Sequence, residues 1–190
     1  MDKICFKCRN KLGGNHKYGL CKKCFIEWFE CEDSDEFETI TPEQILEDSE
    51  LNREFAHINS SFFQGKYKKY SASLKNEKYI FKIREVDYPN LQKFEFLSNE
   101  IAKFLKIPVA NFYLIEFLDY DCFVSKNFLF ESNYRKLTHI YHYLKKASEF
   151  NVENLKNVIF ELTKRPKDVE IFFNVLLFDS LIGNHDRHGR

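Results

Sequence analysis

Three textures follow one another along the chain and predict an α+β protein: two paired-cysteine motifs, then short β-prone runs around one helix, then helices alone. The first texture is Cys5-Phe-Lys-Cys8 and Cys21-Lys-Lys-Cys24, separated by twelve residues, which is close to the spacing of a four-cysteine zinc ribbon. Each pair lets two thiolates converge about 2.3 Å from one zinc ion. Lys3, Lys7, Arg9, Lys22 and Lys23 offset the thiolate charge, and Gly13-Gly14-Asn15 supplies the turn between the pairs. A segment this short has too little core to fold alone, so a structural zinc would supply much of its folding free energy. His16 is an alternative ligand, and a redox dithiol pair is the competing reading of the cysteines. Cys31 is expected to be an exposed thiol and Cys122 a core residue. Tyr18, Phe25, Trp28 and Phe29 give the ribbon an aromatic surface for nucleic acid or protein, or a cover for the zinc site that docks on the next domain.

These considerations delimit a ribbon over residues 1–30 and, over 31–56, an acidic linker. Within the linker, Thr41-Pro42-Glu43-Gln44 carries a capping residue, a proline at the first helical position and a glutamine at the third, so a short helix should begin there. From 57 to 126 the pattern predicts antiparallel strands at Tyr70–Leu74, Tyr79–Ile83, Phe112–Phe117 and Cys122–Ser125, with a turn at Lys75-Asn76-Glu77. A helix over Leu91–Leu105 lies between the second and third, its apolar stripe formed by Phe94, Leu97, Ile101, Phe104 and Leu105. Residues 127–190 read as helical, with segments at Tyr134–Ser148, Val152–Lys164 and Asp168–Ile182 separated by Phe150-Asn151 and Arg165-Pro166. The last is apolar nearly all round and is expected to be a buried central helix.

Composition narrows the function classes. The 190 residues carry 29 basic and 29 acidic side chains, so no global field drives the protein onto nucleic acid or an anionic membrane. No run of about 18 apolar residues is present, and the N-terminal residues lack the apolar stretch of a secretory signal. A cytoplasmic protein with reduced cysteines and no membrane partner is expected.

The chemistry is concentrated at two places. Gly183-Asn-His-Asp-Arg-His-Gly-Arg190 reads like the opening of a kinase catalytic loop, in which Asp186 would accept the proton of a substrate hydroxyl. The metal-binding Asn of such a loop lies five residues past the Asp, just after Arg190. Upstream, Tyr79-Ile-Phe-Lys-Ile83 places Lys82 on a strand, where a kinase lobe needs a cation for nucleotide phosphates. Its carboxylate partner is expected to be Glu100, three residues after Leu97 and four before Phe104, with Asn99 assisting.

At these positions the chain resembles the HipA-like serine/threonine kinases of bacterial toxin-antitoxin systems. The matching residues are Tyr79-Ile-Phe-Lys82, Ser98-Asn-Glu-Ile-Ala102, Lys106-Ile-Pro-Val109, Phe123-Val-Ser-Lys126 and Leu181 to Arg190, in the same order and spacing, across roughly residues 58–190. The resemblance implies a protein-kinase-like small lobe followed by a truncated helical large lobe, with the zinc ribbon outside it. It implies transfer of the ATP γ-phosphoryl group to Ser or Thr of a protein, with magnesium, and a cognate antitoxin as partner. Asp186 would be the catalytic base and His188 a brace for the loop. Lys82 would hold phosphate, Glu100 would hold Lys82, and Val124, Ser125 and Lys126 would form the hinge beside the adenine. The phosphate-covering loop falls between Ser60 and Ser71 and contains one glycine, Gly65, beside Gln64; Ser60 or Ser61 is a candidate phosphorylation site, while Lys66, Lys68 and Lys69 suit a solvated face. Because the metal-binding Asn lies beyond Arg190, these 190 residues by themselves are expected to have little or no activity, and the large lobe is expected to lack the helices that bury Asp168–Ile182, exposing much apolar surface.

Two other readings remain open at this level. One is a non-catalytic zinc-ribbon and pseudokinase module that binds nucleic acid, an antitoxin or a complementary kinase half. The other treats His185, Asp186 and His188 as metal ligands of a hydrolase, which leaves Lys82 and Glu100 without a role. His57, His139 and His142 read as ordinary surface or packing residues.

Overall fold

The structure, a computed structural model, describes residues 3–39, 69–83, 89–117, 119–128, 138, 140–144 and 150–184. It is a mixed α+β fold with antiparallel sheets and four α-helices among these residues. The elements are β1 (His16–Lys17), β2 (Leu20–Cys21), α1 (Lys22–Phe29), β3 (Glu38–Thr39), β4 (Tyr70–Leu74), β5 (Glu77–Ile83), α2 (Leu91–Phe104), β6 (Phe112–Phe117), β7 (Tyr120–Lys126), α3 (Val152–Thr163) and α4 (Pro166–Ile182). Two compact units divide the chain, Met1–Asn99 with Ala110–Lys136 and Glu100–Val109 with Leu137–Arg190, so α2 begins in the first and ends in the second.

The first unit is built on a five-stranded antiparallel sheet in the order β3-β4-β5-β7-β6. Strand alternation gives it two faces. Tyr70, Ala72, Leu74, Tyr79, Phe81, Tyr113, Ile115, Phe117, Cys122 and Val124 share one core with Leu20, Phe25, Phe29, Cys31 and Phe37, so the N-terminal cysteine module covers that face. Phe29 meets Tyr113 at 4.5 Å between ring centres, and Phe37 meets Phe81 edge-on at 5.1 Å. Burying a large apolar side chain contributes about 1.5–3 kcal/mol, so this aromatic layer dominates the stability of the unit.

The chain reaches this arrangement through β1 and β2. His16 pairs with Cys21 and Lys17 with Leu20, leaving Tyr18 and Gly19 as a two-residue turn with φ of 54° and 72°. Positive φ at both central positions is the hairpin turn whose twist suits antiparallel strands. The two turn carbonyls then tie separate pieces together. Tyr18 O accepts from the Glu116 amide of edge strand β6 at 2.9 Å, and Gly19 O accepts from the Phe6 amide of the first cysteine pair at 3.0 Å. Lys3 adds an ion pair to Glu116 at 2.6 Å.

Residues 31–39, expected to be solvated linker, are packed. Phe37 is buried and its amide donates to the Tyr18 hydroxyl at 3.1 Å, while Glu38–Thr39 adds β3 to the sheet. Cys31 is buried rather than exposed, and burial raises its thiol pKa. Cys122 is a core residue as expected. The helix expected from Thr41 lies outside the described residues.

In the second unit, Ala102, Ile107 and Phe178 form a small core with Ile101, Val109 and Val175. Asn151 caps α3, its side chain accepting from the Asn154 amide at 2.9 Å, and α3 packs on α4. Helix α4 starts with Pro166 at its first turn, two residues before the expected Asp168, because proline's fixed φ and missing N–H suit that position. Among the described residues only Phe178 and Asp179 of α4 are buried, and Leu177 and Leu181 are 71% and 73% exposed, so the apolar surface expected to stand uncovered on this helix does so. A helix that is apolar all round needs cover on every side, and the described residues supply it on one. Where a helix was expected at Tyr134–Ser148, the described residues show a single 3-10 turn, Ile140–Tyr143.

Gly19 is the point of closest approach: a Cβ there would lie 2.6 Å from the Phe6 ring and 3.2 Å from Glu116. Gly19→Ala should destabilise the protein by about 1–3 kcal/mol in denaturant unfolding. Gly13→Ala, where a Cβ meets nothing within 4 Å, should change stability by less than about 0.5 kcal/mol. Equal effects at the two glycines would show that the hairpin turn does not clamp the module to the sheet.

Candidate functional site

The four paired cysteines come together in space. The sulfur atoms of Cys5, Cys8, Cys21 and Cys24 all lie within 4.8 Å of one another, and Cys8 Sγ is 3.9 Å from Cys21 Sγ. Four sulfurs about 2.3 Å from one tetrahedral ion would stand roughly 3.8 Å apart, so the quartet fits a divalent metal such as zinc. Local backbone makes the convergence possible. Cys5 N–H donates to Asn10 O at 2.8 Å and Arg9 N–H to Cys5 O at 3.0 Å, with Arg9 left-handed at φ 64°, which folds the first pair back on itself. The second pair straddles the β2 to α1 junction. Burial opposes ionisation of Cys5, but the amides of Cys8, Cys21 and Lys7 outweigh it and bring its pKa down to about 6. Cys24 is pushed the other way by burial and by the neighbouring thiols. His16 does not join the quartet; its Nδ1 lies 2.9 Å from Gly13 O. Lys7 and Lys22, expected to offset thiolate charge, are paired with Glu27 and Asp33 at 2.6 and 3.0 Å.

A second constellation lies on the sheet face opposite the cysteine module. Lys82 projects from β5 toward the first part of α2 and donates to both carboxylate oxygens of Glu95, at 2.8 and 2.7 Å. Its ammonium also stands 5.5 Å from the centre of the Phe123 ring on β7, the cross-strand neighbour of Lys82. Asn99 Nδ2 donates to Glu95 O at 2.8 Å, tying the next turn of the helix to the residue that holds Lys82. Lys69, just before β4, brings a second cation: its pKa is lowered by burial and then by the charge of Lys82.

The partner of Lys82 is therefore Glu95 and not the expected Glu100. The two are five residues apart, about 140° round a helix, so they cannot both face the strand. Glu100 was chosen from the apolar stripe, but that stripe is exposed: Phe94 is 64% and Phe104 85% accessible. The inward side of α2 is polar, with Gln92 buried and Glu95 and Asn99 half-buried. Gln92, Glu95, Asn99 and Ala102 recur at three, four and three residues, a helical stripe visible in the sequence only if polar residues are allowed on the inner face.

The remaining expected residues divide between described and undescribed segments. Val124, Ser125 and Lys126 form the end of β7. Ser125 lies opposite Ile80 on the Lys82 face, whereas Val124 and Lys126 turn to the other face, opposite Phe81 and Tyr79. Gln64, Gly65, Asp186 and His188 lie outside the described residues. What is described is the approach to the terminal loop. Gly183 ends α4 with φ 67°, and Asn184 returns to Asp179 twice, its amide donating to Asp179 O at 2.8 Å and its side chain to Asp179 Oδ1 at 2.9 Å.

A family model described as the HipA-like C-terminal domain matches residues 56–190. The chain belongs to that family. No curated protein and no solved structure matches it significantly. The HipA-like region takes in Lys82, Glu95 and the terminal loop, and it leaves the cysteine quartet outside, as an addition at the N-terminal end. No helix among the described residues is long and apolar enough to cross a membrane.

Exposed to zinc and then desalted, the protein should retain one ion per quartet, released on denaturation into a chromogenic chelator. Cys5→Ser and Cys24→Ser should abolish retention, and His16→Ala should leave it unchanged. Zinc held equally by the Cys24→Ser protein would mean that the quartet is not the ligand set.

Proposed function

We propose that this chain is a HipA-like protein kinase, or part of one, with a zinc ribbon fused to it. The single observation that carries the reading is the bidentate Lys82–Glu95 pair, a strand lysine held by a helix carboxylate within the HipA-like region. In this proposal Lys82 meets the nucleotide phosphates and Glu95 fixes its position, so no reorganisation is needed as charge develops. The backbone of Val124 to Lys126 borders the adenine, and Gly65 with Gln64 belongs to the loop over the phosphates. The hydroxyl of a protein Ser or Thr attacks the γ-phosphorus, the bond to the β-phosphate oxygen breaks, ADP departs, and Asp186 takes the hydroxyl proton. Asn184, held twice by Asp179, and His188 brace that loop. Magnesium, when bound with ATP, neutralises charge on the phosphates. The cysteine quartet holds zinc in a structural role, and a cognate antitoxin is the expected regulatory partner of a toxin kinase.

The pairing supplies the test. Magnesium-ATP at about 100 times its Kd should stabilise the protein by about 2.7 kcal/mol, read as a rise in melting temperature. Lys82→Ala and Glu95→Gln should lose most of that rise, and Glu100→Gln should keep it. If Glu100→Gln loses the shift while Glu95→Gln keeps it, the assignment is wrong. If no variant and no nucleotide changes the melting temperature, the kinase reading itself fails for this chain, and salt-dependent binding to nucleic acid becomes the reading to pursue.

A further inference from the structure

The cysteine module does not stop at the sheet face it covers. Trp28, one helical turn after Cys24 on α1, packs on Tyr113 with ring centres 5.6 Å apart, and Tyr113 belongs to the covered face. The same indole lies 6.4 Å from the ring of Phe96 on α2, the residue next to Glu95. Phe96 in turn meets Phe112 at 5.5 Å, and Phe112, adjacent to Tyr113 on β6, turns to the other face. Because β6 is an edge strand, Trp28 reaches α2 round the edge of the sheet. Beyond Phe112 the ring contacts continue at 6.2 Å to Phe123, over which the Lys82 ammonium stands. Each spacing lies within the roughly 4.5–7 Å of packed aromatic pairs. All of these residues belong to the first unit, as does the stretch Leu91–Asn99 of α2.

That stretch of α2 is weakly anchored by its own sequence. Its stripe toward the sheet is polar, and a polar stripe gains little from burial to fix a helix in place. Gln92 is 1% exposed and neither polar atom of its amide has a hydrogen-bond partner among the described residues, which opposes the inward position of the helix. On the outer side Phe94 and Leu97 are exposed. Three contacts act the other way: the Lys82–Glu95 pair, the ion pair of Lys93 with Asp121 at 2.9 Å, and Phe96 between Trp28 and Phe112. The Lys93 side chain is exposed, so its pair contributes little. Phe96 is thus the apolar anchor beside Glu95, and one of its two ring partners comes from the cysteine module.

We propose that Trp28 is a positioning residue for the Lys82–Glu95 pair: seated on Phe96, it holds α2 at the rotation in which Glu95 presents both carboxylate oxygens to Lys82. Successive helical residues project about 100° apart, so a roll of α2 that follows the loss of Trp28 carries the Glu95 carboxylate away from the strand. The inference rests on the proposed function only for its consequence at the phosphates; its test needs no nucleotide, so either can fail without the other.

The readout is the rate at which the Lys82 amine of the folded chain is acylated by a small N-hydroxysuccinimide ester, followed by peptide mass spectrometry with zinc content held equal. An amine engaged by both oxygens of Glu95 reacts slowly, and Glu95→Gln sets the rate of the released amine. Trp28→Ala should speed acylation of Lys82 about threefold to tenfold. Trp28→Phe, which keeps a ring against Phe96, should restore the slow rate. In the Glu95→Gln background, Trp28→Ala should add less than about twofold, because its effect runs through Glu95. Phe96→Ala removes the same contact from the α2 side and should match Trp28→Ala, so the test stands if one of the two variants fails to fold. The inference is overturned if the folded variants acylate Lys82 at the wild-type rate. It is equally overturned if Trp28→Ala speeds acylation as much in the Glu95→Gln background as in the wild type, which would mark a general loosening of the sheet.

Discussion

The aromatic layer between the cysteine module and the sheet is the constraint on which the first unit depends. The sheet has one face of Tyr79, Phe81, Tyr113 and Phe117 that water would otherwise reach. The cysteine module, for its part, is too small to bury a core of its own. Phe25, Phe29 and Phe37 solve both problems at once, and they stand where they do because α1 is anchored at its first turn by Cys24 and the chain returns through Cys31 to β3. A metal held by the four thiols would thus act on more than the thirty residues around it. The free energy of closing the quartet would be transmitted to the sheet through packed rings.

The opposite face of the sheet carries the Lys82–Glu95 pair. There α2 presents a polar stripe inward and leaves Phe94, Leu97 and Phe104 exposed. Glu95 is the central residue of that stripe, with Asn99 fixing its carbonyl and Lys82 its carboxylate. The division of labour between the faces explains how an N-terminal addition can be fused to a HipA-like region without crowding Lys82. The module covers one side of the sheet, and Lys82 lies on the other.

Much of this was legible in the sequence, and the failures share a cause. Strand alternation placed β4 and β6 at their observed ends, since period two is set by covalent geometry. The cysteine quartet was legible because metal-ligand spacing is a local property. Glu95 was missed because the inner face of α2 was inferred from apolar residues, and this helix packs a polar face against the sheet. Phe37 and Cys31 were hidden among acidic neighbours that look solvated, and only the tertiary partner Tyr18 reveals why that segment is ordered. Long-range aromatic contacts leave no periodic trace, and a polar face turned inward leaves one that is read only when polar residues are allowed inside.

The central claim is that the cysteine module and the sheet form one cooperative unit joined through Phe25, Phe29 and Phe37. Native-state hydrogen exchange, with and without a chelator that strips zinc from the loaded protein, tests it most directly at the amides of β5 and β7. Protection in these strands should fall together with protection in α1 when the metal is removed. Loss of protection confined to residues before Cys31, with β5 and β7 unchanged, would contradict it.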